Sequence, residues 1–247
     1  MSGARTAPAP SVRAFITGNS GSGKTTLANR LYLAKMPRVI ILDMTGEWEG
    51  KVDASTYSLA ELVQTVRNLA RERGRWRVAL ALDPNELEAL VQWLVPVPEV
   101  KRSPILSVGG AALLVDEVDL LAPPGTASTP IRTLYRRSRH VGLTVVSTTQ
   151  RPANVSREVS AQSNHAVALT LNENRDVEYI SRLMRWDIAA ADRWRQWTRR
   201  HPHGGVFRDL QSGRQLWIAE DGRTTVDGPP AHQPSLFAGD DADDAPG

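Results

Sequence analysis

Apolar positions along the chain fall into short blocks with two spacings. Unbroken runs of four to seven, "VRAFITG" (12–18), "RVIILD" (38–43), "RVALAL" (77–82), "AALLVD" (111–116), "LTVVSTT" (143–149) and "HAVALTL" (165–171), predict strands apolar on both faces, as in the middle of a parallel sheet. Between them the apolar residues recur every three or four positions. "GKTTLANRLYLAKM" (23–36) carries Leu27 and Leu31 on one face and stops before Pro37. "SLAELVQTVRNLARERG" (58–74) places Leu59, Leu62, Val63, Val66 and Leu69 together and opens with Ser58 and Glu61 at capping-box spacing. Further helices are predicted in "PNELEALVQWLV" (84–95), after Thr129, over about 173–185 and over about 188–200. "GGVFRDLQSGRQLWIA" (204–219) reads as a closing hairpin around Ser212–Gly213.

Strands alternating with helices predict an α/β fold with a mostly parallel sheet between helical layers, the architecture of mononucleotide-binding proteins, finished by a C-terminal β-hairpin. The apolar fraction, 41% of 247 residues, suffices for one sizeable core. The expected organisation is a disordered lead over 1–11, one domain over 12–220 and a disordered acidic tail over 221–247. Composition adds little except by exclusion. Without cysteine there are no disulfides and no thiolate metal sites. No apolar run is long enough to span a membrane, and "MSGARTAPAPS" lacks the apolar stretch of a signal peptide, so a cytoplasmic location is expected. The net charge of +3 conceals an asymmetry: four aspartates (Asp240, Asp241, Asp243, Asp244) lie in the tail, and removing them leaves residues 1–239 at +7. Arginine supplies most of that excess, a composition suited to phosphate partners.

The chemistry concentrates in two motifs. "GNSGSGKT" (Gly18, Asn19, Ser20, Gly21, Ser22, Gly23, Lys24, Thr25) fits the P-loop pattern at every position, with the required strand before it and helix after it. Its glycines let backbone N–H groups turn inward around a β-phosphate, and the helix N-terminus, with Thr26 in its first turn, adds positive potential. Lys24 would reach the β/γ oxygens of ATP and Thr25 would ligate Mg²⁺. "AALLVDEVD" (111–119) reads as a Walker B strand. Asp116 would hold Mg²⁺ through water, while Glu117, pointing the other way at the strand end, would polarise the attacking water. No N-K-x-D guanine-reading motif is present, which favours adenine nucleotides. Two strands, 38–43 and 77–82, lie between the P-loop strand and the Walker B strand. An extra strand inserted between the motifs, together with the catalytic glutamate, resembles the RecA-like, additional-strand ATPases that act as motors.

The segment "RSRHVGLTVVSTTQRPANVSREVSAQSNHAVALTL" (137–171) makes the likeness more specific, because it resembles the HerA–FtsK superfamily of DNA-pumping ATPases. "VIILDMTGEW" (39–48) is similar to the second-strand segment of that superfamily, an aspartate followed by Gly-Glu-aromatic. The resemblance spans about 12–185. It implies that Gln150 senses the γ-phosphate and that Arg139 reaches a neighbouring subunit's ATP, with Arg136 and Arg137 as competing choices. It further implies ATP and Mg²⁺ as ligands and a homo-oligomeric, hexameric ring acting on double-stranded DNA. The chain shows no β-barrel, membrane segment or winged helix, and its layout is closest to the genome-packaging ATPases of membrane-containing viruses and phages. A capsid or portal-vertex protein would be its docking partner. The alternatives are a HerA-like helicase or conjugative DNA pump, and a phage assembly ATPase that never moves DNA.

Candidate DNA contacts are Lys101 and Arg102 before the Walker B strand and Arg157 after the Gln-Arg-Pro. "RLMRWDIAAADRWRQWTRR" (182–200) interleaves Trp186, Trp194 and Trp197 with six arginines. Base stacking on those rings is one reading; packing of Trp194 and Trp197, from one helical face, on the domain or on a neighbouring subunit is the expected one.

Overall fold

The computed structural model describes residues 11–72, 74–96 and 110–226. Its elements follow the alternation in the sequence closely. The first half runs β1 (Arg13–Thr17), α1 (Lys24–Leu31), β2 (Arg38–Leu42), β3 (Ala54–Thr56), α2 (Leu59–Glu72), β4 (Trp76–Leu80) and α3 (Leu87–Leu94). The second runs β5 (Ala111–Val115), α4 (Thr129–Val141), β6 (Leu143–Thr149), α5 (Arg157–Gln162), β7 (His165–Ala168), α6 (Asn174–Leu183) and α7 (Ile188–Arg200). Three strands close it: β8 (Gly205–Asp209), β9 (Gln215–Ile218) and β10 (Thr224–Val226).

All ten strands form one sheet in the order β10-β9-β8-β7-β1-β6-β5-β2-β4-β3. The seven from β7 to β3 are parallel, and β8, β9 and β10 add on antiparallel at one edge. The fold is therefore the expected RecA-like α/β one with its C-terminal hairpin. The additional strand is identified by space rather than by sequence. β2 and β4, which separate the two motifs along the chain, lie beyond β5, and the strand between β1 and β5 is β6. Strand β10 carries the sheet to Val226, past the boundary expected at residue 220.

Each central strand feeds two cores, which explains its unbroken apolar run. Phe15, Ile40, Leu113 and Val145 pack with Leu62, Leu90, Leu134 and Tyr135 of the helices on one face. Ile16, Val39, Ile41 and Leu114 face the other way, onto Leu27 of α1 and Leu33. With these strands buried on both faces, sheet position is set by helix coverage on each side.

Local chemistry fixes the ends. The Ser58 hydroxyl accepts the Glu61 N–H at 3.2 Å, and the Glu61 carboxylate accepts from Tyr57 N at 2.7 Å, so the capping box closes one residue upstream of its usual partner. Helix α1 ends earlier than its pattern suggests. Tyr32 leaves helical geometry, and a single 3-10 turn, Leu33–Lys35, completes the segment before Pro37. Trp194 and Trp197 are buried, their indole N–H groups donating to Ala168 O and Ile218 O, both at 3.2 Å. Trp186 bonds Gln215 at 2.7 Å and lies 5.2 Å from the Trp194 ring. Trp194 and Trp197 thus pack α7 against β7 and the hairpin strands and are not open to a base, while Trp186, before α7, is half-buried. Lys101, Arg102, the lead up to residue 10 and the tail from 227 lie outside the described residues.

Candidate nucleotide site

The loop between β1 and α1 is pinned by the two strands flanking β1. Gly18 N donates to Thr149 O at the end of β6, and Asn19 N to Thr170 O beyond β7. At Gly18 a side chain is excluded by contact, because a Cβ would meet Ser22 Oγ at 2.5 Å and Leu169 Cβ at 2.8 Å. Gly21 and Gly23 are there for conformation, with φ of 70° and 93°. Lys24 is buried at the floor, its ammonium donating to Gly18 O at 3.0 Å and Asn19 O at 3.2 Å. The Ser22 hydroxyl is also buried and has no partner in the protein. Ser20 through Thr26 line a cavity of about 490 Å³ that also takes in Asp116, Glu117 and Gln150. An orphaned hydroxyl in a glycine cradle and a buried ammonium fit the phosphates of a nucleotide. Thr25 and Asp116 both border the cavity, and are the residues that would hold Mg²⁺.

The two acids reach this cavity by a route that strand alternation does not describe. Strand β5 ends at Val115, and Glu117 adopts a left-handed backbone, φ 50° and ψ 60°, uncommon for a side chain branching into a carboxylate. That turn, not the pleat, aims Glu117 at the site. Its Oε1 accepts Gln150 Nε2–H at 2.8 Å, its Oε2 accepts the Gln150 backbone N–H at 3.2 Å, and Lys24 Nζ lies 3.8 Å from Oε1. Asp116 is buried, and both of its oxygens are engaged. The Thr148 hydroxyl donates to Oδ1, and the Trp48 indole N–H to Oδ2 at 2.8 Å. Thr148 in turn accepts the Glu117 N–H at 3.3 Å, so one β6 hydroxyl serves both acids.

Trp48 is the partner that the motifs did not reveal. Asp43, at the end of β2, accepts backbone N–H groups of Gly46 (2.8 Å), Glu47 (3.1 Å) and Trp48 (3.0 Å), winding the Gly-Glu-Trp turn so that the indole meets Asp116. The same turn puts Glu47 on the cavity wall. Arg30, His203 and Glu220 line the wall as well. They come from α1, the α7–β8 loop and the β9–β10 turn, and only the fold brings them together.

The arginines sort by position. Arg139 lies in the last turn of α4, before β6, whose first residues pair with the start of β1, so it sits at the opposite end of the central strands from the P-loop. There it is exposed, bonds His140 at 3.3 Å, and its charge adds to burial in lowering the pKa of Arg13. Arg136 forms a two-pronged pair with Glu158, at 2.7 and 3.2 Å, and Arg137 leans on Pro96 O at 3.5 Å. Arg157 lies on α5, beyond the Gln150 loop. The groups united at one site are thus the P-loop, Asp116, Glu117 and Gln150; Arg139 and Arg157 stand apart from it.

Fold and loop together are those of the P-loop NTPase architecture in its additional-strand form. No family model and no curated protein sequence matches this chain, and its likeness is to solved structures. The genome packaging NTPase B204 from Sulfolobus turreted icosahedral virus 2, in complex with ATP-gammaS, superposes with a TM-score of 0.61 at 19% identity, over 84% of this chain and 96% of that one. The same protein in complex with AMPPCP gives 0.62 at 18% identity, covering 85% and 97%. VirB4 of Thermoanaerobacter pseudethanolicus gives 0.56 at 14% identity, covering 92% of each chain. At these identities the likeness is one of fold: the parallel sheet, its helical layers and the loop after β1 superpose on those of the packaging NTPase and VirB4. No described helix is long and apolar enough to cross a membrane.

Proposed function

We propose that the protein is an ATP hydrolase that drives double-stranded DNA, as the packaging motor of a viral genome, working as a homo-oligomeric ring in the host cytoplasm. One observation carries the reading. The Glu117 carboxylate is held by both N–H groups of Gln150 beside Lys24, facing a P-loop cavity sized for a nucleotide. The P-loop and Lys24 bind the phosphates, and Thr25 and Asp116 hold Mg²⁺, which neutralises charge on the phosphate oxygens. Two of the four acceptor positions on Glu117 are taken by Gln150, leaving others to receive a proton from the attacking water. Arg139, remote from its own P-loop, is the group a neighbouring subunit's site would use. The DNA-packaging role is supported by the fold shared with packaging NTPases, and by the basic balance of residues 1–239. The test is ATP hydrolysis with and without duplex DNA, with assembly state measured on the same samples. Hydrolysis stimulated by DNA in an assembled form is expected; DNA-independent hydrolysis by a monomer overturns the motor reading.

A further inference from the structure

The loops that follow the two catalytic strands do not end at the nucleotide. After β5 the chain passes through Gly125, and after β6 it makes a single 3-10 turn, Pro152–Asn154, before α5. Between these loops and α6 lies a second cavity of about 390 Å³, bordered by Gly125, Arg157, Arg175, Glu178, Tyr179 and Arg182. Arg175, Tyr179 and Arg182 share one face of α6 by their spacing, and Arg157 comes from α5. The Tyr179 hydroxyl meets Ser160 Oγ at 2.6 Å and fixes the two helices to each other. All three arginines are exposed. Arg182 pairs with Glu178 at 3.1 Å, but among the described residues no carboxylate pairs with Arg157 or Arg175.

This cavity is wired to the catalytic carboxylate by short contacts. Gln150 bonds Glu117 at 2.8 Å. Its neighbour Arg151 reaches Asp176 at 3.5 Å and Glu173 at 3.3 Å, and Ala153 N donates to Asp176 Oδ1 at 2.9 Å. Asp176 is only 4% exposed and sits in the first turn of α6, the helix that carries Arg175 and Arg182. A buried aspartate shared by a loop and a helix makes them move together, because separating them would leave its charge unpartnered.

We propose that the Arg157–Arg175–Arg182 cavity grips the phosphate backbone of double-stranded DNA, and that the Gln150–Arg151–Asp176 chain links this grip to the catalytic carboxylate. The inference rests on the DNA-motor reading and gives it a surface. Guanidinium forks match phosphate oxygens, and three of them converging with one opposing carboxylate suit a densely charged, repetitive polyanion.

The experiment is binding of fluorescently labelled duplexes of unrelated sequence to the full chain, across about 50 to 200 mM salt, alongside polyglutamate as a second polyanion. Arg157→Ala, Arg175→Ala and Arg182→Ala are each expected to weaken all duplexes alike and to lower the slope of log K against log salt by about 0.9. DNA-free hydrolysis should be unchanged in all three, and Arg193→Ala and Arg200→Ala on α7 should leave the slope as it is. Arg151→Ala, in which Asp176 loses its cation but keeps the Ala153 N–H, should fold as judged by unfolding midpoint, retain duplex affinity and lose stimulation of hydrolysis by DNA. If the wild type binds duplex and all three arginine variants bind as well with the same slope, the site is overturned while the motor reading stands. If the wild type hydrolyses ATP but binds no duplex, the motor reading falls and takes the site with it. Equal binding of polyglutamate, with the same loss in each variant, assigns the cavity to an acidic protein and overturns DNA as its occupant. DNA stimulation intact in Arg151→Ala overturns the link.

Discussion

Gln150 holds Glu117 twice, through its side-chain amide at 2.8 Å and its backbone N–H at 3.2 Å. Two groups that share hydrogen bonds cannot respond independently, so if Gln150 is the proposed sensor, whatever it feels is imposed on the orientation of the Glu117 carboxylate. Glu117→Gln should therefore retain binding of ATP-gammaS and lose hydrolysis by about 100-fold or more, the lower end of general-base contributions. Gln150→Ala should also bind normally, but with slower hydrolysis that no longer follows DNA. Equilibrium binding and steady-state rates on the same preparations check both. Loss of binding in Gln150→Ala would show that the residue props up the loop instead.

The indole of Trp48 keeps one oxygen of Asp116 partnered at 2.8 Å inside the protein. Trp48→Phe retains a ring and removes the N–H. The orphaned oxygen should cost about 1–3 kcal/mol of stability, measured by denaturant unfolding. Because the same carboxylate is placed to hold Mg²⁺, the Mg²⁺ concentration needed for tight ATP-gammaS binding should rise in the variant. A change below about 0.5 kcal/mol, within the range of ordinary surface substitutions, would mean that water replaces the indole.

Arg139 and the P-loop stand at opposite ends of the adjacent central strands β6 and β1. Two inactive proteins, Arg139→Ala with an intact P-loop and Lys24→Ala with an intact Arg139, should recover part of the hydrolysis when mixed, since a mixed assembly contains some complete sites. Arg136→Ala should be active on its own, because its guanidinium is already committed to Glu158. Rates measured against mixing ratio decide the matter, and absence of any recovery removes the trans role.

Two glycines of the same loop should fail differently. Gly18→Ala drives a methyl to within 2.8 Å of Leu169 Cβ, so it should distort the loop and abolish nucleotide binding. Gly21→Ala meets nothing within 4 Å and suffers only the left-handed penalty, about 1–2 kcal/mol. Nucleotide affinity and unfolding midpoints of the two variants separate the causes.

The nucleotide site was legible because its chemistry is local. The P-loop, Asp116, Glu117 and Gln150 lie at strand ends that unbroken apolar runs mark in the sequence. Much of the rest depends on contacts that no window of sequence contains. Strand β3 has three residues and α5 only six, too short for a period to emerge. The placement of β6 between β1 and β5 is a matter of helix coverage, which apolar runs do not encode. Trp48 reaches Asp116 across 68 positions, through a turn wound by Asp43. Resemblance marked that segment, but its chemistry stayed hidden until the indole and the carboxylate were seen together. Arg136, a competing choice to Arg139, is committed to Glu158, a partner 22 positions away.

The left-handed backbone of Glu117 has one more consequence. A residue with a Cβ held there costs about 1–3 kcal/mol that glycine would not. Glycine at 117 would relax the backbone but also strip Gln150 and Lys24 of a shared carboxylate, so the left-handed turn is tolerated in return for where it places that group.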